Sequence, residues 1–175
     1  MIEYYENIIP PIIQKEIEET LSDENFSWFL KEKDKQHHFE HILFHNGLIN
    51  SSFYDIIVKP IVSIVDSKTE LDISNMIYAK AICNSNTKQL NLEWAYDVYT
   101  LIYCVNDTLS DIIVNVEEED NLQDIECKKG KIFLTDNQSI INMPTVSGNK
   151  KIILIQFAKL KTKEIKWNRG KKALN

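Results

Sequence analysis

The sequence predicts a mainly β protein with helices at its N-terminal end, folded as an antiparallel sandwich of the jelly-roll kind. Two patterns carry this. After about residue 75 the apolar residues recur in many short runs of strand-like period, joined by brief polar connections with no helical pattern between them. The first third instead carries helical periodicity, interrupted by one alternating segment. Only four glycines and four prolines occur in 175 residues, which leaves little room for linkers. The chain therefore reads as one domain over residues 1–160, helices included, followed by a basic tail over 161–175.

Taken in order, Pro10-Pro11 followed by IIQKEIEETL starts a helix, because proline at the first turn gives up no needed N–H. Ile13, Ile17 and Leu21 share one face of it, and Ser22 to Asn25 end it. The aromatic cluster Phe26, Trp28 and Phe29 is expected to pack under a sheet. His38 to His45 alternates as a strand, with Phe39, His41, Leu43 and His45 on one face and Glu40, Ile42 and Phe44 on the other. Asn46-Gly47 makes a turn. Ser51-Ser52 offers an N-cap to a second helix bearing Phe53, Ile56, Ile57 and Ile64, which Pro60 must kink or restart. Seven strands follow: Met76–Cys83, Val98–Val105, Asp111–Val116, Gln123–Cys127, Lys131–Thr135, Ser139–Asn142 and Lys151–Lys159. Ile102, Ile113, Phe133 and Ile153 are expected to face the core between two packed sheets.

Composition narrows the function classes. The chain is 43% hydrophobic and 26% charged, ordinary for a soluble domain. No apolar run approaches the roughly 20 residues that cross a bilayer, and the N-terminus lacks a basic signal region, so cytoplasmic synthesis without membrane contact is expected. Cys83, Cys104 and Cys127 are odd in number, lack C-x-x-C spacing and read as buried free thiols. The net charge is −6, yet the last fifteen residues hold six basic residues and one acid. Nucleic-acid contact is therefore expected only through that tail, whose Trp167 gains by docking on a surface. Walker, nucleophile-elbow and dinucleotide motifs are absent. The acidic run Glu117 to Asp120 reads as a solvated turn. Ile, Asn and Lys are abundant, as in the AT-rich genomes of many phages.

The stretches HFEHILFHNGLINSSFYDIIVKPIVSIV, IYAKAICNSNT, YTLIYCVND, CKKGKIFLTDNQS and KKIILIQFAKL together resemble successive blocks of the small stand-alone 2-oxoglutarate/Fe(II) oxygenases of phages and marine microbes, over roughly residues 25–160. The resemblance implies a double-stranded β-helix, jelly-roll or cupin-like. It also implies an H-x-D pair just before the block YTLIYCVND, a second histidine after KIFLT, and a basic residue opening the last strand to hold the co-substrate carboxylate. Carried over, the H-x-D pair falls on Trp94 and Tyr96, with Asp97 and Glu93 as neighbouring carboxylates. The distal histidine falls near Ser139, and the basic residue becomes Lys150 or Lys151.

All four histidines, His37, His38, His41 and His45, lie upstream of those positions. A non-haem Fe(II) site needs two imidazoles and a carboxylate on one side of the metal. Trp94, Tyr96, Asp97, Ser139 and Lys151 are therefore expected to form a vestigial pocket without metal, cofactor or catalytic residue, with one of the two rings filling the iron position. The leading reading is a non-catalytic descendant of the oxygenase fold that acts as a structural or interaction protein. Its partners would be proteins, in a homo-oligomer or an assembly such as a phage virion. The alternatives are an active hydroxylase using Fe(II) and 2-oxoglutarate, and a small-anion-binding module in which Lys151 grips a carboxylate.

Overall fold

The computed structural model describes residues 2–33, 36–69, 75–84, 90–92, 98–107, 112–116, 121–136, 139–143 and 149–158. Helix α1 (Pro11–Thr20) opens at Pro10-Pro11 as the sequence implies, and helix α2 (Tyr54–Lys68) carries Pro60 within a single element. The expected serine cap on α2 is not made. Its N-cap is Phe53, and the hydroxyl of Ser51 instead accepts the Phe53 N–H at 3.2 Å in the turn before the helix.

The strands in the first part of the chain are β1 (Ile2–Tyr5), β2 (Phe29–Lys33), β3 (Gln36–His45) and β4 (Leu48–Ile49). Only the third of these was legible as a strand. The remainder are β5 (Met76–Asn84), β6 (Leu90–Leu92), β7 (Val98–Cys104), β8 (Ile112–Val116), β9 (Asn121–Ile125), β10 (Ile132–Asp136), β11 (Ser139–Met143) and β12 (Lys150–Ala158). They match the seven expected strands to within a few residues, plus the short β6. Every pairing among them is antiparallel, in an eight-stranded sheet of order β1-β10-β7-β12-β5-β3-β2, with β4 beside β3, and a four-stranded sheet of order β6-β11-β8-β9.

Strand alternation gives the large sheet two faces. One packs on the helices: Ala79, Ala81, Leu101, Tyr103, Ile132, Leu134, Ile153, Ile155 and Phe157 join Ile17, Leu21, Ile57, Ile61 and Val65 in one buried cluster. The other face is turned toward the small sheet, and there Ile82, Ile102, Phe133, Ile152 and Leu154 are buried. Ile102 and Phe133, paired across β7 and β10, thus lie between the sheets as expected. Ile153 does not. It belongs to the helix-side core, because it is one residue out of step with Ile152 and Leu154. The backbone of Ile113 sits in β8, and its side chain lies outside the described residues.

Strand β3 departs from simple alternation. Ile42 pairs with Lys80 but Phe44 pairs with Ala79, so Leu43 is an extra residue in a β-bulge. Both Leu43 and Phe44 turn to the helices, where the Phe44 ring lies 5.8 Å from that of Tyr54. His45 moves to the inter-sheet side, against Tyr78. The turn after it is the expected one: Asn46 at φ 50° and Gly47 at φ 82° suit the two-residue hairpin turn, whose central residues both need positive φ.

The aromatic cluster also divides. Phe26 and Trp28 pack on the helix side, with ring centroids 4.8 Å apart, whereas Phe29 begins the edge strand β2 and is 56% exposed. Two of the three cysteines expected as free thiols are joined. The β7–β10 pairing brings Cys104 and Cys127 to a Cα separation of 5.8 Å, and they form a disulfide that leaves Cys83 as the free, buried thiol. Among the described residues, no helix is long and apolar enough to cross a membrane.

Candidate functional site

The inter-sheet face of the large sheet is where polar groups are buried together. The pairings Lys150–Asn84 and Lys31–His38 mark one end of it, with His38 and Asn84 each one residue beyond the Phe39–Cys83 pair. Lys150 and Asn84 are fully buried and His38 is 8% exposed. Next to them stands Glu40, 7% exposed, with Lys80 Nζ 3.0 Å from its Oε2 and Lys31 Nζ 3.5 Å from its Oε1. Thr100, Thr135 and Gln156 lie further along the same face, Gln156 donating to Thr100 at 3.5 Å. A cavity of about 350 Å³ opens beside Glu40, where Phe29, Lys31 and Asn50 face it.

The buried His38 ring lies with Nε2 3.5 Å from Glu40 Oε2, an ion-pair distance. That neighbour is the largest influence holding the Glu40 carboxyl down at about 2; burial opposes it, and Lys80 and Lys31 reinforce it. Burial pushes the Tyr78 phenol up to about 12, and the Lys80 ammonium sits 5.6 Å from the centre of its ring.

The other histidines stand apart from this cluster. His41 lies on the helix side, Nδ1 donating to the Ser27 carbonyl at 2.6 Å, which leaves Nε2 to accept from the Ser51 hydroxyl at 2.8 Å. His37 pairs with Glu32 at the edge, Nδ1 to Oε1 3.0 Å, and the His45 ring stands edge-on to Tyr78 at 5.3 Å.

Of the expected pocket residues, Trp94, Tyr96 and Asp97 lie outside the described residues. Ser139 begins β11 opposite Val116 of β8. Lys151 is turned the wrong way for its expected role: it pairs with Cys83 on the helix side, and its ammonium donates to Ser22 Oγ at 2.8 Å and to the Leu21 carbonyl at 3.3 Å. A cation there complements the carbonyl end of α1. Lys150, its neighbour, is the lysine on the inter-sheet face, since successive side chains alternate. The sequence did hold a signal for this site. IYAKAIC sets Lys80 among apolar residues in a strand, where only a paired or functional lysine is tolerated.

Many solved structures share this architecture, and three of them illustrate it. A 2-oxoglutarate/Fe(II) oxygenase-family oxidoreductase from Burkholderia pseudomallei superposes at a TM-score of 0.72 with 6% identity, covering 90% of this chain and 85% of that one. A prolyl hydroxylase from Trichoplax adhaerens, solved with a hypoxia-inducible-factor peptide, gives 0.67 at 11% identity over 90% and 83%. The viral collagen prolyl hydroxylase of Paramecium Bursaria Chlorella virus-1 gives 0.58 at 12% over 91% and 90%. No protein-family model matches the sequence, and no curated protein matches it. The likeness is one of fold: this chain has the double-stranded β-helix of the 2-oxoglutarate/Fe(II) oxygenases.

That fold implies an iron and its co-substrate, and the donor set can be tested against them. Among the described residues no three His, Cys, Asp or Glu side chains approach closely enough to hold a metal ion. The closest pair on the inter-sheet face, His38 and Glu40, already shares its carboxylate oxygen with the Lys80 ammonium, and a second cation there would be repelled. Every histidine of the chain lies on β3, and none lies on the strands of the small sheet. Among the described residues, no two imidazoles and a carboxylate come together on one side of a metal position.

Proposed function

We propose that this chain is a non-catalytic form of the oxygenase fold that works by binding, as an interaction or structural protein. The observation that supports this reading is the confinement of all four imidazoles to β3, where they diverge to both faces and to the edge. A protein partner is the natural counterpart of such a scaffold, whether in a homo-oligomer or in a larger assembly of the phage-virion kind. The reading is tested by calorimetry with Mn(II) as an oxygen-stable substitute for Fe(II), and by succinate release from 2-oxoglutarate with Fe(II) in air. We expect no stoichiometric metal binding at micromolar concentration and no succinate above a protein-free control. O₂-dependent succinate would overturn the reading in favour of an active hydroxylase.

Lys150 favours a second reading, a small-anion-binding module. A fully buried ammonium on the inter-sheet face is the group that a carboxylate entering between the sheets would meet. In this reading 2-oxoglutarate or succinate without metal raises the melting temperature of the protein, and Lys150→Met abolishes the shift.

A further inference from the structure

On the opposite, helix side of the large sheet, a cavity of about 460 Å³ lies between the sheet and the end of α1, within the size range of small-molecule sites. Its floor is one cross-strand row, Phe39, Cys83 and Lys151, from β3, β5 and β12. Phe26 and Trp28 wall it, and Asp23 and Glu24 stand on its rim. Because it is on the other face of the sheet, it is independent of the inter-sheet site.

The described groups around this cavity favour positive charge. The carbonyl end of α1 opens onto it, carrying the negative pole of the helix. Asp23 stays ionised, its carboxyl held below the usual range by the Asn25 N–H and side-chain amide. Aromatic faces add the negative lobe of their quadrupoles. Among the described residues the one cation lining it, Lys151, shows the preference directly: it donates to Leu21 O and Ser22 Oγ, so its charge is already committed to the helix end. What remains is an aromatic floor and wall beside two carboxylates.

We propose that this cavity is a binding site for an organic cation, an ammonium group carried on an apolar or aromatic body. The body lies against Phe39, Trp28 and the Cys83 thiol, and the ammonium faces Asp23 and Glu24. Three probes that share one ring and differ in charge separate the elements of this assignment: benzylammonium, benzyl alcohol and phenylacetate. Each is titrated into the ¹⁵N-labelled full chain without reductant, following backbone amide shifts. We expect saturating shifts confined to residues 21–28, 39, 83, 149 and 151, with benzylammonium binding at least tenfold more tightly than phenylacetate and more tightly than the alcohol. Glu24→Gln, a change at an exposed side chain, should narrow the gap between the amine and the alcohol and leave the alcohol unchanged. Equal binding of the three, a preference for phenylacetate, a gap untouched by Glu24→Gln, or no localised shift with any probe overturns the proposal.

Discussion

Glu40 sets the acid side of this protein's stability. Its carboxyl falls from the ordinary 4.5 to about 2 through His38, Lys80 and Lys31. Because the folded-state value lies below the unfolded one, ionised Glu40 stabilises the fold above about pH 4.5, and that contribution is lost as the pH falls toward 2. Glu40→Gln leaves Lys80, 13% exposed, without its carboxylate. It should cost on the order of 1–3 kcal/mol near neutrality. Urea midpoints measured from pH 7 down to pH 2.5 should converge for the two proteins, and a gap that stays constant with pH would count against the assignment. The neighbouring lysines show how far single residues were legible. A basic pair opening β12 was evident in the sequence, but which member faces the small sheet depends on strand parity. One residue of uncertainty in a strand's start reverses it.

At the scale of elements, β12 is the strand that both faces of the sheet depend on. Ile153 is fully buried against the helices, in a cluster with Ile17, Ile57 and Val65. Ile153→Ala should cost about 2–5 kcal/mol in urea unfolding, and the loss should appear as weakened docking of α1 and α2, read from faster amide exchange in those helices. The strands themselves were readable because short apolar runs between polar connections admit few other interpretations. Their partners were not, since pairing depends on residues distant in sequence. The disulfide shows this most clearly. Cys104 and Cys127 are 23 positions apart and meet only because β7 pairs with β10. The loop they close contains β8 and β9, so the bridge ties half of the small sheet to the large one. Loop entropy of that size is worth ~3 kcal/mol. Reduction, or the double change Cys104→Ala and Cys127→Ala, should lower the urea midpoint accordingly; the double variant should no longer respond to reductant, while Cys83→Ala, which keeps the bridge, should respond as the unsubstituted protein does.

For the whole molecule, the order of strands sets a gradient of stability. β12 pairs on both sides, with β5 and β7, and Ile152 to Ile155 are fully buried. β2 and β4 lie at the rim, with Phe29, Leu30, Leu48 and Ile49 exposed. Hydrogen exchange should therefore be slowest in β5, β7 and β12, at the level of global unfolding, and fast in β2 and β4. Comparable protection at rim and centre would contradict this topology. The fold class was legible because period and connection length are local properties of the chain. The candidate site was legible only in part, through Lys80 set among the apolar residues of IYAKAIC. Its resident groups, Lys31, His38, Glu40 and Lys80, come from β2, β3 and β5, and only the folded sheet brings them side by side.

The bulge at Leu43 divides β3 into two half-strands of opposite parity. Before it, even-numbered residues face the small sheet; after it, odd-numbered ones do. Deleting Leu43 would let Ile42 pass directly to Phe44 in simple alternation, so His38 and Glu40 stay between the sheets, Phe44 stays against Tyr54 of α2 and His45 keeps its side. Its cost would be the loss of the fully buried Leu43 side chain from the helix-side core. A one-residue insertion between His38 and Ile42 has no such solution without a second bulge, because it would exchange the faces of one half-strand, so this stretch should accept shortening at the bulge far more readily than lengthening.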